Sequence, residues 1–193
     1  MRTRTSCLLS MVCLILLTMF IAGCAGSTPA PQAPTQNQGS EQVNPQSQSN
    51  NLANPSGTMK ITIYHATKDA QSLVPEIQVV PNSDHPAKTA IERLIAGTKQ
   101  PDLVSVIPPG TKLRGISIKE HVAYVDFNDK LVKNNGGGSA GEILLVAAIV
   151  NTLTEFPEVQ KVQILVEGKK VDTISGHLDT SEPLSRSEKI IKK

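Results

Sequence analysis

The chain is 193 residues long with a formal charge of +2, 3% aromatic residues and no tryptophan. Arg2 and Arg4 supply that excess, so everything after residue 23 is formally neutral. A neutral, ring-poor chain excludes nucleic-acid binding driven by phosphate contacts or base stacking. Cys7, Cys13 and Cys24 are its three cysteines, so no disulfide, cysteine metal site or cysteine nucleophile is expected beyond residue 24.

The first segment has Arg2 and Arg4, then an almost unbroken apolar run from Cys7 to Ile21. That is the layout of a secretory signal, here spanning residues 1–23. It closes on Ile21-Ala22-Gly23-Cys24, which reads as a lipobox. Small residues at Ala22 and Gly23 suit a peptidase cleft, and the Cys24 thiol is the group that takes a diacylglycerol with palmitate-like chains. Each buried CH₂ contributes about 0.8 kcal/mol of anchoring, so two or more chains hold stably. The expected location is the extracytoplasmic face of the cell membrane, with the lipid on Cys24 as the membrane contact. The apolar run is short for a permanent span of about 20 residues.

Residues 24–58 follow as a Pro/Gln/Asn/Ser tether in which Glu41 is the sole charge. Such a stretch carries too little apolar surface to offset the entropy of ordering. Its coil dimension is about 30–35 Å, and fully extended it reaches roughly 110–120 Å.

Residues 59–193 are the right size for one domain. Lys60 to His65 alternates and predicts a strand, as does Pro75 to Val80. Pro81 to Asp84 is turn chemistry. Ala87, Ala90, Ile91, Leu94 and Ile95 share one helical face, with Asp84 as the expected cap, Pro86 in the first turn and Gly97 past the end. Leu113 to Lys119 and Val122 to Phe127 are two strands joined so tightly at Glu120-His121 that a hairpin is expected, with positive φ at His121. Ser139-Ala140-Gly141-Glu142 reads as a capping box. It opens a helix whose eight consecutive apolar residues, Ile143 to Val150, require burial on all sides. Pro157 ends that helix. Val162, Ile164 and Val166 alternate in a final strand, and Gly168-Lys169 turns it toward a short partner near Val171. The order β-β-α-β-β-α-β(-β) gives an α+β fold, a mixed sheet with two helices packed on it.

Several segments are similar to the GerMN domain of the spore germination and sporulation protein family. They are Leu73-Val74-Pro75-Glu76, Leu94-Ile95-Ala96-Gly97, Ile107 to Leu113, Asn151 to Pro157 with Val159 to Gly168, and Gly176 to Leu184. The resemblance implies a non-enzymatic lipoprotein domain that docks with other envelope or sporulation proteins, with homo- or hetero-oligomers possible, no cofactor and no catalytic residue. It departs from the family at Thr98, where proline is usual, and at Glu120-His121, which replaces an Asp-Gly-like turn.

Competing chemistry is weak. Gly137-Gly138-Ser139-Ala140-Gly141 matches G-x-S-x-G, with Asp172 and His177 as paper partners for a serine hydrolase, but loop precedes it where a nucleophile elbow needs a strand. The same glycines can present amides to an anion, yet no P-loop lysine follows. Asp126, Asn128 and Asp129 suggest calcium, but Lys130 has the wrong charge. His177 and Asp179, with His65 or His121, are a zinc alternative that lacks helical spacing. No metal is therefore expected. Lys189 to Lys193 is a basic end expected to fray. An envelope small-ligand receptor is the other alternative, usually a longer two-lobed chain. The leading expectation is an interaction domain, with the loop Asn134 to Gly138 and any exposed part of the long apolar helix as its first candidate surfaces.

Overall fold

The computed structural model describes residues 57–193. The leader, Cys24 and the polar segment up to residue 56 lie outside the described residues. The strands expected from alternation are present and slightly longer: β1 is Thr58–Thr67 and β2 is Leu73–Pro81. They pair antiparallel, Lys60 opposite Val79 and Thr62 opposite Ile77. Helix α1, Pro86–Ala96, buries Ala87, Ala90, Ile91 and Leu94, the i, i+3, i+4, i+7 stripe of the sequence. His85 takes the cap position in place of Asp84 and its side chain makes no capping bond. Pro86 follows it in the first turn, and Gly97 ends the helix at φ +82°, its N–H donating to the Leu94 carbonyl.

A two-residue strand β3, Leu103–Val104, pairs with the far side of β1 and was not legible in the sequence. Strands β4, Leu113–Lys119, and β5, Val122–Phe127, form the expected hairpin. Both Glu120 (φ 49°) and His121 (φ 62°) adopt left-handed backbone, as a two-residue hairpin turn requires. A short helix α2, Lys130–Lys133, precedes the long helix α3, Gly138–Leu153. Strand β6, Lys161–Val166, runs parallel to β5, with α3 in the crossover between them. The far side of β6 is shared by β7, Lys169–Lys170, and β8, Leu184–Ser185, both antiparallel to it.

The α+β class holds, but the strands divide between two sheets, β2-β1-β3 and a second one built on β4-β5-β6. Helix α3 packs against β1, α1 and β6. Its residues Leu144 through Leu153 are all buried, as the apolar run demanded. Leu145, Ile149, Leu153, Phe127, Ile164 and Leu73 lie at the centre of one continuous core. A smaller cluster of Ile61, Ile63, Val80 and Ala90 fills the space between α1 and the β1–β2 ribbon.

The C-terminal segment does not fray. Ile191 bridges to Leu73 in parallel, and Lys192 N–H donates to the Leu73 carbonyl at 2.8 Å. Asn151 inside α3 makes a reciprocal pair with Ser187, donating to its carbonyl at 3.0 Å and accepting from its N–H at 2.9 Å. Arg186 donates to the Tyr64 hydroxyl at 2.6 Å and pairs with Glu155 at 2.8 Å, while Tyr64 itself donates to Glu155 at 2.6 Å. Burial and the bond to Glu155 push the Tyr64 hydroxyl above its ordinary range.

Candidate interaction surface

The glycine loop between α2 and α3 is held from two sides. Asn134 donates to the Pro109 carbonyl at 2.7 Å, and Asn135 donates to the Ser175 hydroxyl at 2.6 Å. Gly141 N–H reaches the Gly137 carbonyl at 3.0 Å, so the helix begins at the glycines themselves. A Cβ on Gly137 would stand 2.9 Å from the Gly141 Cα, which explains why no side chain is carried there.

This early start overturns the capping box. Gly137 is the cap, and Ser139 sits exposed within the first turn with no side-chain capping bond. Glu142 therefore falls a full turn inside α3, on the stripe of Leu145 and Ile149, and is wholly buried. Its carboxylate serves another segment. Oε1 accepts from the amides of Ile174 at 2.8 Å and Ser175 at 2.9 Å, and Oε2 from His177 at 2.8 Å. Burial alone would push this carboxyl up. The amides of Ser175, His177, Ile174 and Leu178 outweigh burial and hold it below its ordinary range.

Three stretches of chain thus converge around the start of α3: residues 104–109, the glycine loop, and 174–177. Between the first two lies an open groove of about 270 Å³, walled by Val104, Pro108, Pro109, Gly136, Gly137 and Leu144. No charged residue lines it. It can hold a peptide or an apolar side chain, and it has no acid or base with which to move a proton. A smaller depression of about 180 Å³ between α3 and the C-terminal segment is lined by Ile143, Val146, Ala147 and Leu184.

The chemistry weighed in the sequence is dispersed. The Ser139 hydroxyl makes no hydrogen bond among the described residues, so neither His177 nor Asp172 engages it; the Asp172 carbonyl accepts from the Thr180 N–H at 2.8 Å and the His177 backbone N–H donates to Glu142. Asp126 accepts from the Gly168 N–H at 2.8 Å and pairs with Arg114 at 3.0 Å. Asn128 joins Lys112 and Gly110 across the neighbouring loop, and Asp129 pairs with Lys133 at 2.7 Å. These supposed calcium ligands are turn fasteners. Asp179 caps Ser181. His65 is buried on β1 with its ring 3.8 Å from Glu76 of β2, His121 sits in the β4–β5 turn, and among the described residues no three metal-ligating side chains gather. Thr98, the departure from the family pattern, donates to Glu76 at 2.6 Å. The groove on 104–109 escaped the sequence reading because β3 is two residues long; the paired Pro108-Pro109 next to it was the only available sign.

Residues 62–172 match the model of the Germane family, described as sporulation and spore germination, which is more than half of the chain. The chain belongs to the Germane family. Its fold is similar to the first GerMN domain of the sporulation protein GerM from Bacillus subtilis, at 24% identity and TM-score 0.58, covering 66% of this chain and 98% of that one. The tandem GerMN domains of the same Bacillus subtilis protein match at 24% identity and TM-score 0.56, covering 75% of this chain and 50% of the tandem structure. A crystal structure from Clostridium perfringens is 27% identical over 69% of this chain and 92% of its own, with TM-score 0.49. No curated protein matches the chain. No described helix is long and apolar enough to cross a membrane.

Proposed function

We propose that this Germane-family chain is a lipid-anchored interaction domain on the extracytoplasmic face of the cell membrane, acting in sporulation or germination by binding other envelope proteins. The observation that carries this reading is the lipobox ending at Cys24, set ahead of a polar tether and a sporulation-family domain. The uncharged groove beside the glycine loop supports binding over catalysis, since it offers a partner shape and apolar contact without an acid–base pair.

Growth of sporulating cells with an alkyne-tagged palmitate tests the anchor. Label on the wild-type chain, absent from Cys24→Ala, with release of the variant from the membrane fraction, is the expected result. A wild-type chain that runs unlabelled in the cytosol overturns the reading. Crosslinking of the anchored chain in the same cells is expected to recover discrete envelope proteins; recovery of abundant bystanders alone counts against the scaffold role.

A further inference from the structure

The first sheet has an open edge. In the β1–β2 ribbon the bonds Thr67 N–H to Ser72 O and Asn82 N–H to Gly57 O fix which residues of β2 face β1. By the two-residue period, Val74, Glu76, Gln78 and Val80 bond to β1, while Leu73, Pro75, Ile77, Val79 and Pro81 point their backbone groups outward. The Leu73 carbonyl is taken by Lys192, which confirms the phase. Pro75 and Pro81 have no N–H to offer. What remains is a window of two residues, Ile77 and Val79, with donors and acceptors facing away from the sheet and unpaired among the described residues.

The same two residues carry the most exposed large apolar side chains of the described chain, Ile77 at 66% and Val79 at 63%. An edge that prolines blunt at both ends, and that is left apolar and open in the middle, is an edge kept for a partner. The opposite wall of the window comes from the end of α1. A groove of about 350 Å³ runs between β2 and that end, and Arg93 and Lys99 line it. Neither cation makes an ion pair among the described residues. Glu76, the carboxylate in the groove, accepts from the Thr98 hydroxyl at 2.6 Å and the Gln78 amide at 2.8 Å, and the two cations outnumber its single charge.

We propose that the β2 edge docks an extended segment of a partner protein in which apolar and acidic side chains alternate. A strand added beside Ile77 and Val79 places every second side chain on the Ile77/Val79 face and the others over Arg93 and Lys99. Apolar residues fit the first row and carboxylates the second. A second copy of this chain fits the backbone, because a two-fold at Gln78 sets Ile77 opposite Val79 and Pro75 opposite Pro81. It fails on charge, since it brings two sets of Arg93 and Lys99 together. The proposal deepens the interaction-domain reading by naming the partner's chemistry, and its test does not depend on the state of Cys24.

The test uses detergent-solubilised full chain and a fluorescein-labelled Val-Glu-Val-Glu-Val-Glu-Val peptide, with the Lys-for-Glu peptide as control. Anisotropy is expected to show saturable binding of the acidic peptide and binding of the basic one weaker by about ten-fold or more. Val79→Pro removes an outward donor without touching the β1 ladder and is expected to abolish binding. Arg93→Glu with Lys99→Glu alters only exposed side chains, so folding is retained, and it is expected to reverse the preference. Amide NMR shifts at Ile77 and Val79 locate the site. Equal binding of both peptides, no binding of the acidic one, or an unchanged preference in the charge-reversed variant overturns the proposal. So does a dimer of the wild-type chain that Val79→Pro dissolves, which would assign the edge to a second copy.

Discussion

Glu142→Gln probes the buried carboxylate that ties α3 to residues 174–177. The wild-type side chain accepts from the amides of Ile174 and Ser175 on Oε1 and of His177 on Oε2, with the Leu178 amide also turned toward it. Glutamine keeps an oxygen for Ile174 and Ser175 but turns its NH₂ toward the His177 amide, donor against donor. One charge-assisted bond is lost and two become neutral, while the cost of burying a charge is relieved; the net loss is about 2–3 kcal/mol. For a domain of this size that lowers Tm by roughly 6–15 °C. The sign with pH is also fixed. The folded carboxyl titrates below its ordinary 4.5, so its stabilisation is complete above that value and fades as pH falls through the lower folded pKa. Calorimetry from pH 7 to pH 3 should show the variant's deficit shrinking in acid, because the wild type loses what the variant never had. A variant within about 2 °C of wild type at pH 7, or a deficit that persists unchanged at pH 3, refutes the role given to Glu142.

Ser139→Ala is expected to change stability by no more than about 0.5 kcal/mol, since the hydroxyl is exposed and caps nothing; a loss of esterase activity in a well-folded variant would reinstate the hydrolase reading. Gly137→Ala forces its Cβ onto the Gly141 backbone and should cost about 1–3 kcal/mol, whereas Gly136→Ala meets open space and should be near neutral in the same urea titration. His65 is buried with neither ring nitrogen hydrogen-bonded, and burial lowers its pKa against the raising effect of Glu76. The unfolded chain therefore protonates first as pH drops below 6.5, and wild-type stability falls there; His65→Met should match or exceed wild type at pH 7.5 and remove that loss, which melts at pH 5.5 and 7.5 will show.

Elements built on period were legible: both long strands of the first sheet, α1 and the β4–β5 hairpin follow from alternation, a helical stripe and a two-residue turn. The α3 run of Ile143 to Val150 announced burial on all sides, and the structure buries Leu144 to Val150 but leaves Ile143 at the start of the run exposed. What the sequence hid is non-local. The spacing Ser139-x-x-Glu142 fits a capping box, and only the early start at Gly137 rotates Glu142 inward to face residues 174–177, more than thirty positions away. The short partner expected near Val171 is β7, which stands slightly earlier at Lys169–Lys170, whereas the two-residue strands β3 and β8 carry no usable period, so the division into two sheets was unreadable. The open β2 window was present in Pro75-Glu76-Ile77-Gln78-Val79-Val80-Pro81 all along, but outward and inward rows separate only once the pairing phase to β1 is known.

The family match stops at residue 172, yet the fold does not. Residues 173–192 supply the amides for Glu142, the Thr180 carbonyl that receives Gln163 at 2.9 Å, the Ser187 partner of Asn151 and the Arg186 guanidinium between Tyr64 and Glu155. Glu142, Gln163 and Asn151 are fully buried. Truncation after Asp172 removes five large apolar side chains from the main core, the buried Ile174 and the partly buried Leu178, Leu184, Ile190 and Ile191, each worth up to about 1.5–3 kcal/mol. It also leaves a buried carboxylate and two buried amides short of partners, at about 1–3 kcal/mol for each neutral group and more for the charge. The sum rivals the roughly 5–15 kcal/mol that holds an ordinary domain together. The truncated chain should therefore show no cooperative melt and no dispersed amide spectrum, while a chain ended after Lys192 should behave as wild type. A truncation at 172 that melts cooperatively within a few degrees of the full chain would mean that the C-terminal segment is packed on a domain already complete without it.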